Sequence, residues 1–120
     1  MADILNLTPS PVLVTGGGSA KTQPVEQAID VSAYDRIDLA IDTPGGAPST
    51  VEILTSMTLQ EADADWVQAA ITTGSIPGNS FNHHLEVPAS GQPLFRYIRW
   101  KITPGGSNGS ATISGLARRG

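Results

Sequence analysis

The segment LFRYIRWKIT, residues 94–103, carries the clearest β-strand pattern in the chain and guides the interpretation of the rest. Side chains on a strand alternate between two faces, so every second residue points the same way. One face is apolar and predicts a buried surface: Leu94, Ile98, Trp100 and Ile102. Arg96 falls in the same register, so we expect it near a strand end or paired with a buried acid such as Asp30 or Asp38.

The opposite face of this strand carries aromatic and basic side chains: Phe95, Tyr97, Arg99 and Lys101. Aromatic and Arg side chains are favoured at protein interfaces. A second sheet face covered by a loop would explain the same composition. The sequence alone leaves both interpretations open.

Seven further segments also have strand patterns: residues 11–15, 25–31, 36–42, 50–59, 66–72, 81–87 and 111–118. Gly- and Pro-rich turns separate them, and strands about ten residues apart with such turns are typical of an antiparallel sandwich or barrel. We therefore predict an all-β protein, an antiparallel β-sandwich of about eight strands. Residues 11–120 are expected to form this single domain, and residues 1–10 an N-terminal arm that docks on a neighbouring molecule.

The composition argues against several partners. The chain has 120 residues, no cysteine and a formal net charge of −4, and its basic residues are dispersed. A dispersed, acidic charge does not attract a phosphate backbone, so we expect no nucleic acid partner. The first residues lack the basic and apolar regions of a signal peptide, and no apolar run is long enough for a membrane span. We expect a protein made in the cytoplasm of its producer cell, with no membrane partner.

The motifs that suggest phosphate or metal chemistry are incomplete. A phosphate-binding loop within residues 12–22 would need Gly where the chain has Thr15 and Ala20, so we interpret this segment as a hairpin loop. His83 and His84 are adjacent and should point to opposite faces of a strand, which prevents them from sharing a metal.

An acidic stretch, residues 61–65, lacks the Gly and Glu positions of a calcium loop and is interpreted as a solvated loop. No nucleophile elbow is present either. We expect no catalytic residues, no metal and no cofactor.

Five segments in order resemble the galactose-binding-like, discoidin-type β-sandwiches: residues 29–35, 51–57, 66–67, 95–100 and 111–117. The resemblance implies a jelly-roll sandwich and, as one candidate function, a non-catalytic carbohydrate-binding module. The chain departs from that family because it lacks a Cys pair, clear calcium-loop carboxylates and an aromatic-rich tip loop.

A small acidic sandwich without cysteine is also similar to the virion proteins of tailed bacteriophages that decorate, or cement, capsid shells. This resemblance implies a structural protein of the virion whose partners are the major capsid protein or another virion protein. It also implies a homo-oligomer, with a trimer favoured. The residues expected at its interfaces are Ile4, Leu5, Leu7, Phe95, Tyr97, Arg99 and Lys101. We predict this structural function first, and the carbohydrate-binding module as the alternative.

Overall fold

The computed structural model describes residues 2–44, 48–72, 76–77 and 79–119 and contains ten β-strands. The strands are β1 Ala2–Asn6, β2 Val12–Val14, β3 Lys21–Thr22, β4 Ile29–Asp30, β5 Arg36–Thr43, β6 Pro48–Ser56, β7 Val67–Ile71, β8 Ser80–Val87, β9 Tyr97–Pro104 and β10 Gly109–Arg118. Two 3-10 turns, Val25–Gln27 and Asp63–Asp65, are the helical elements of the described residues. Neither has the length or the apolar character needed to cross a membrane.

The strands form two antiparallel sheets of five strands each, and the predicted β-sandwich is confirmed. Sheet 1 has the order β1-β10-β5-β8, with β2 pairing with the beginning of β10. Sheet 2 has the order β3-β9-β6-β7, with β4 also pairing with β9.

The core lies between the sheets and is built from alternate residues of the central strands. Its buried side chains include Ile37, Leu39 and Ile41 of β5, Val51 and Ile53 of β6, Ile98, Trp100 and Ile102 of β9, and Ile113 of β10. Gly115 of β10 lies opposite Leu39, where a Cβ atom would approach Leu39 Cδ2 to 2.7 Å. The alternation predicted for residues 36–42 and for the later part of 94–103 therefore describes two of the strands that line the core, β5 and β9.

One sequence-based strand assignment is wrong. Residues 25–31, predicted as one strand, form a 3-10 turn followed by the two-residue strand β4. Pro24 precedes the turn, and its carbonyl oxygen accepts a hydrogen bond from Gln27 N, which closes the turn. Residues 2–6, which belong to the predicted arm, pair with β10 of the same chain in register from Ala2↔Arg118 to Asn6↔Ser114.

In each sheet, one edge consists of two short strands separated by a gap: β1 and β2 beside β10, and β3 and β4 beside β9. At each gap, a side chain accepts a hydrogen bond from a backbone N–H of the neighbouring strand. Between β1 and β2, Thr8 Oγ1 accepts from Ile113 N at 2.9 Å. Between β3 and β4, Gln23 Oε1 accepts from Trp100 N at 3.2 Å. A buried backbone N–H without a partner is costly, so these side chains permit the interruptions.

The two interruptions are joined to each other across the sandwich. The carbonyl oxygen of Leu7 accepts from Trp100 Nε1 at 3.0 Å and from Gln23 Nε2 at 3.3 Å. We refer to Leu7, Thr8, Gln23 and Trp100 as the edge clamp. It ties the N-terminal segment of sheet 1 to the edge of sheet 2.

Candidate binding surfaces

The N-terminal residues expected at an interface have three different environments. Ile4 points outward from sheet 1 and is 84% exposed. Leu5 is half-buried against the core, and Leu7 is 1% exposed within it. Of these three side chains, only that of Ile4 is fully available at the surface, whereas Leu7 packs inside the chain.

Arg99, expected on an open basic face, is 4% exposed and is held inside the protein. Its Nε and Nη2 donate to the Gln23 carbonyl oxygen at 2.9 and 2.5 Å. Its Nη1 donates to Asp63 Oδ1 at 3.4 Å, and its guanidinium lies 5.1 Å from the centre of the Trp66 ring. The guanidinium of Arg99 is therefore used in contacts within its own chain.

The segment of residues 57–66 covers this part of the outer face of sheet 2. Trp66 is buried against it, and its Nε1 donates to the Gln60 carbonyl oxygen at 2.8 Å. Thr22 Oγ1 donates to Asp63 Oδ2 at 2.8 Å and fixes the other side of the segment. Of the two interpretations of the basic face, the loop-covered one holds around Arg99.

Tyr97 and Lys101 are half-buried at the margins of the covered area. The covering segment is the feature that sequence reasoning missed, although a Trp following an acidic loop was a possible signal for it. The acidic loop was considered for calcium, but its Asp63 binds Thr22 and Arg99 instead. Across residues 2–44, 48–72, 76–77 and 79–119, no three potential metal-ligating side chains are grouped at one site.

A cleft of about 370 Å³ opens next to Phe95. Exposed Phe95 and Met57 lie on its walls with Tyr34 and Arg96. The Tyr34 hydroxyl donates to Asp3 at 2.5 Å, and this bond raises the pKa of the phenol. The cleft therefore combines exposed apolar surface with hydrogen-bonding groups, which is the composition of a small-molecule site.

Arg96 beside this cleft has the partner that its register suggested. Its Nε donates to Asp30 Oδ2 at 3.2 Å, and its guanidinium lies 5.0 Å from the centre of the Tyr97 ring. Asp30 is partly exposed rather than buried. Hydrogen bonds from Ser32, and then from Arg96, lower the pKa of the Asp30 carboxyl.

The outer face of sheet 1 carries a charge cluster centred on Asp38. Its carboxylate contacts His84 Nε2 at 3.0 Å, Arg36 Nη2 at 3.1 Å and Arg118 Nε at 3.2 Å. The hydrogen bond from His84, followed by those from the two arginines, lowers the pKa of Asp38 to about 2. We refer to these four residues as the Asp38 cluster. His83 occupies the next register position, so the two histidines alternate along β8 as predicted.

Large apolar side chains are exposed on strands at the edges of both sheets. They are Ile4 on β1, Leu13 on β2, Val67 and Ile71 on β7, and Phe81 on β8. Sequence reasoning identified Ile4 alone, because alternation gives the face of a residue but not whether its strand lies at an edge. The described edges of both sheets therefore expose apolar side chains to solvent.

Lys21, which ends the Gly-rich loop considered for phosphate binding, donates from Nζ to the Leu13 carbonyl oxygen at 2.8 Å. The loop itself packs on residues 105–108 through Gly17 N, which donates to the Gly105 carbonyl oxygen, and Gly16 N, which donates to Asn108 Oδ1. The lysine and the amides of Gly16 and Gly17 are thus engaged within the chain. The predicted hairpin loop is wrong, because β2 pairs with β10 of sheet 1 and β3 pairs with β9 of sheet 2, so the loop crosses from one sheet to the other.

No protein-family model matches the chain, and no curated protein matches it in sequence.

Proposed function

We propose that the chain is a non-catalytic structural protein of a virion that decorates or cements a phage-type capsid through protein–protein contacts. The observation that carries this proposal is the exposure of Ile4, Leu13, Val67, Ile71 and Phe81 on edge strands. The side chains of these strands, rather than pairing of their backbones, support the proposal, because large apolar side chains exposed to water gain free energy when a partner covers them. The partner is the major capsid protein or another virion protein, and the site of action is the assembled particle.

The proposal is tested by co-sedimentation with capsid shells isolated from the source of the protein. We expect the protein to pellet with the shells at a fixed stoichiometry. Phe81→Glu and Val67→Glu place a charge on two edge strands, and at least one of them should abolish pelleting. Leu59→Glu is the matched control, because Leu59 is also exposed but lies in the covering segment.

A wild-type protein that stays in the supernatant contradicts the proposal. So does pelleting that neither edge variant reduces, since the edges would then play no part in the contact. Solution mass gives a further readout, because a protein of this class is expected to form a closed homo-oligomer, for which the class resemblance favours a trimer.

The cleft beside Phe95 favours a second candidate function, carbohydrate binding. An exposed ring next to Arg and Tyr groups suits the apolar face and the hydroxyl groups of a sugar. A glycan array tests this candidate, with Phe95→Ala as the variant and Phe81→Ala as a control that also removes an exposed ring. Glycan binding that Phe95→Ala alone abolishes would favour the carbohydrate module over the capsid protein.

A further inference from the structure

Two of the edges in the described part of the chain are guarded against strand addition. On β2, the exposed Leu13 carbonyl oxygen is occupied by Lys21 Nζ. The edge formed by β3 and β4 is broken by the 3-10 turn that follows Pro24. A lysine and a break in the strand are both devices that prevent another chain from pairing.

The strands β7 and β8 are guarded by irregular backbone. The register of β7 against β6 skips Ala69, and the Ala69 carbonyl oxygen accepts from Ala89 N at 2.8 Å. The register of β8 against β5 shifts between Ile41 and Thr43, where Asn82 has φ 57°. Bulges twist an edge away from a regular ladder, so neither strand offers a flat template.

The remaining edge, β1, has none of these features. Its five residues, ADILN, pair with β10 without a register shift and contain no Lys, Arg or Pro. Its one charged residue, Asp3, has its carboxylate bonded to the Tyr34 hydroxyl. The side chain of Ile4 is 84% exposed in the middle of the strand.

The hydrogen-bond pattern shows which backbone groups of β1 face the open edge. Leu7 N donates to the Ile113 carbonyl oxygen, so residue 7 is turned toward β10. Along an antiparallel strand every second residue is turned the same way, which places Leu5 and Asp3 toward β10 as well. The N–H and C=O groups of Ile4 and Asn6 therefore point away from the sheet.

We infer that β1 pairs with β1 of a second copy of this chain, antiparallel and centred on Ile4. In this register each Ile4 exchanges both backbone hydrogen bonds with the other Ile4, and Asp3 lies opposite Leu5 rather than opposite the other Asp3. Leu116 is the β10 neighbour of Ile4, so the outer face gains an apolar row of two Ile4 and two Leu116 side chains. No like charges are placed opposite each other.

The contact is two-fold symmetric and therefore closes as a dimer. It joins the two five-stranded sheets into one of ten strands. Because the other described edges are guarded, further addition stops at two copies. The inference deepens the proposed function and rests on its claim that exposed edges serve assembly, and it assigns a dimer where class resemblance favours a trimer.

The test is the solution mass of the full chain by light scattering, from low micromolar to millimolar concentration. We expect twice the 12.5 kDa of one chain. Ile4→Lys adds a charge to the centre of the edge and should give a monomer. Leu13→Lys, also on an edge strand of sheet 1 and also exposed, is the matched control and should remain a dimer.

Amide hydrogen exchange of the wild type locates the contact without any substitution. The Ile4 amide faces away from its own sheet, so its exchange should slow as concentration rises, whereas the Asp3 and Leu5 amides should be slow throughout. This measurement decides the case if Ile4→Lys does not fold.

A wild type that stays monomeric at millimolar concentration overturns the inference, as does an Ile4→Lys variant that folds and remains a dimer. The outcomes that contradict the dimer differ from those that contradict the proposed function. A monomer that pellets with capsid shells overturns the dimer alone, whereas a β1 dimer that does not pellet supports the dimer and contradicts the capsid function.

Discussion

At the residue scale, the side chain of Gln23 connects the interrupted edge of sheet 2 to the N-terminal segment that pairs with sheet 1. Gln23 is 2% exposed, accepts from Trp100 N, and donates to the carbonyl oxygens of Leu7 and Gln27. An amide is well suited to this position because it supplies an acceptor and two donors at once. Neither an acid nor an apolar residue of this size can satisfy all three neighbours.

Gln23→Met keeps the volume and removes the hydrogen bonds. Because Trp100 N would lose its acceptor in a buried site, we expect the free energy of unfolding to fall by about 1–3 kcal/mol. Urea denaturation followed by circular dichroism measures the change. Gln27→Ala is the control, since that residue contributes a backbone carbonyl and its side chain is exposed. Equal stability losses in the two variants would contradict the importance of the Gln23 side chain.

The sequence predicts only some of the buried residues of β9. Ile98, Trp100 and Ile102 follow from alternation, since period two alone places them on one face. Arg99 does not, because its register assigns it to the outer face and its burial depends on the distant Trp66. Alternation gives the direction of a side chain but carries no information about what later covers it.

At the element scale, the Asp38 cluster connects three neighbouring strands of sheet 1. Asp38 lies on β5, His84 on β8 and Arg118 on β10, so one carboxylate bridges both neighbours of the central strand. The cluster lies on the side of the sheet opposite the core. Its ion pairs therefore link the three strands without placing a charge in the apolar core between the sheets.

The low pKa of Asp38 predicts how stability changes in acid. Its folded-state pKa of about 2 is below the ordinary value of 3.8, so the carboxylate contributes stability that is present above about pH 4 and is lost as the pH falls toward 2. We expect this loss to be about 1–2 kcal/mol in the wild type, after solvent screening. Asp38→Asn should lack this component of the acid dependence.

Urea denaturation at several pH values between these limits compares the two proteins. Asp65→Asn, which changes an exposed acid outside the cluster, is the control. Parallel stability curves for wild type and Asp38→Asn would show that the cluster does not contribute.

The covering segment is the second element whose attachment is testable. Asp63 and Asp65 are both exposed, but the Asp63 carboxylate binds Thr22 and Arg99. We expect Asp63→Ala to loosen the segment and to increase cleavage after Glu61 by a glutamate-specific protease several-fold, with little change in the core. Mass spectrometry of the fragments measures the rate. Asp65→Ala should be cleaved like the wild type, and an equal increase in both variants would argue against the Asp63 attachment.

The sequence predicts the long strands of the sandwich better than its short edge elements. Residues 36–42 and 111–118 fall within β5 and β10 because each has enough alternate apolar residues to define a buried face. The edge elements β3 and β4 have two residues each, too few for any periodicity. Their positions depend on pairing with β9, a long-range contact that local patterns do not encode.

At the scale of the whole molecule, the N-terminal segment belongs to the sandwich and closes it. Leu7 is buried in the core, Thr8 completes the hydrogen bonding of β10, and the edge clamp reaches across to sheet 2. An arm held outside the domain would be dispensable for folding, whereas these contacts predict that the segment is required for stability. That the segment also docks on a neighbouring molecule remains a prediction, and the part available for docking is the open edge of β1.

Deleting residues 1–8 tests this difference. The deletion removes the buried Leu7 and the acceptors for Ile113 N and Trp100 Nε1. We expect a loss of the order of 5 kcal/mol, comparable to the total stability of a small domain. Thermal unfolding by circular dichroism should show a largely unfolded protein. Removal of Arg119 and Gly120 at the other end is the control, and a cooperative transition near that of the wild type after deletion of residues 1–8 would contradict the prediction.

The hydrogen bond between Trp100 and Leu7 also makes the attachment of the N-terminal segment optically visible. The chain has two tryptophans: the Trp100 indole is bonded to Leu7 and that of Trp66 to Gln60. With Trp66 replaced by Phe, the emission spectrum would come from Trp100 alone. Detachment of the first strand would then expose that indole to water and shift its fluorescence to longer wavelength. The molecule thus carries an intrinsic probe at the junction of its two sheets.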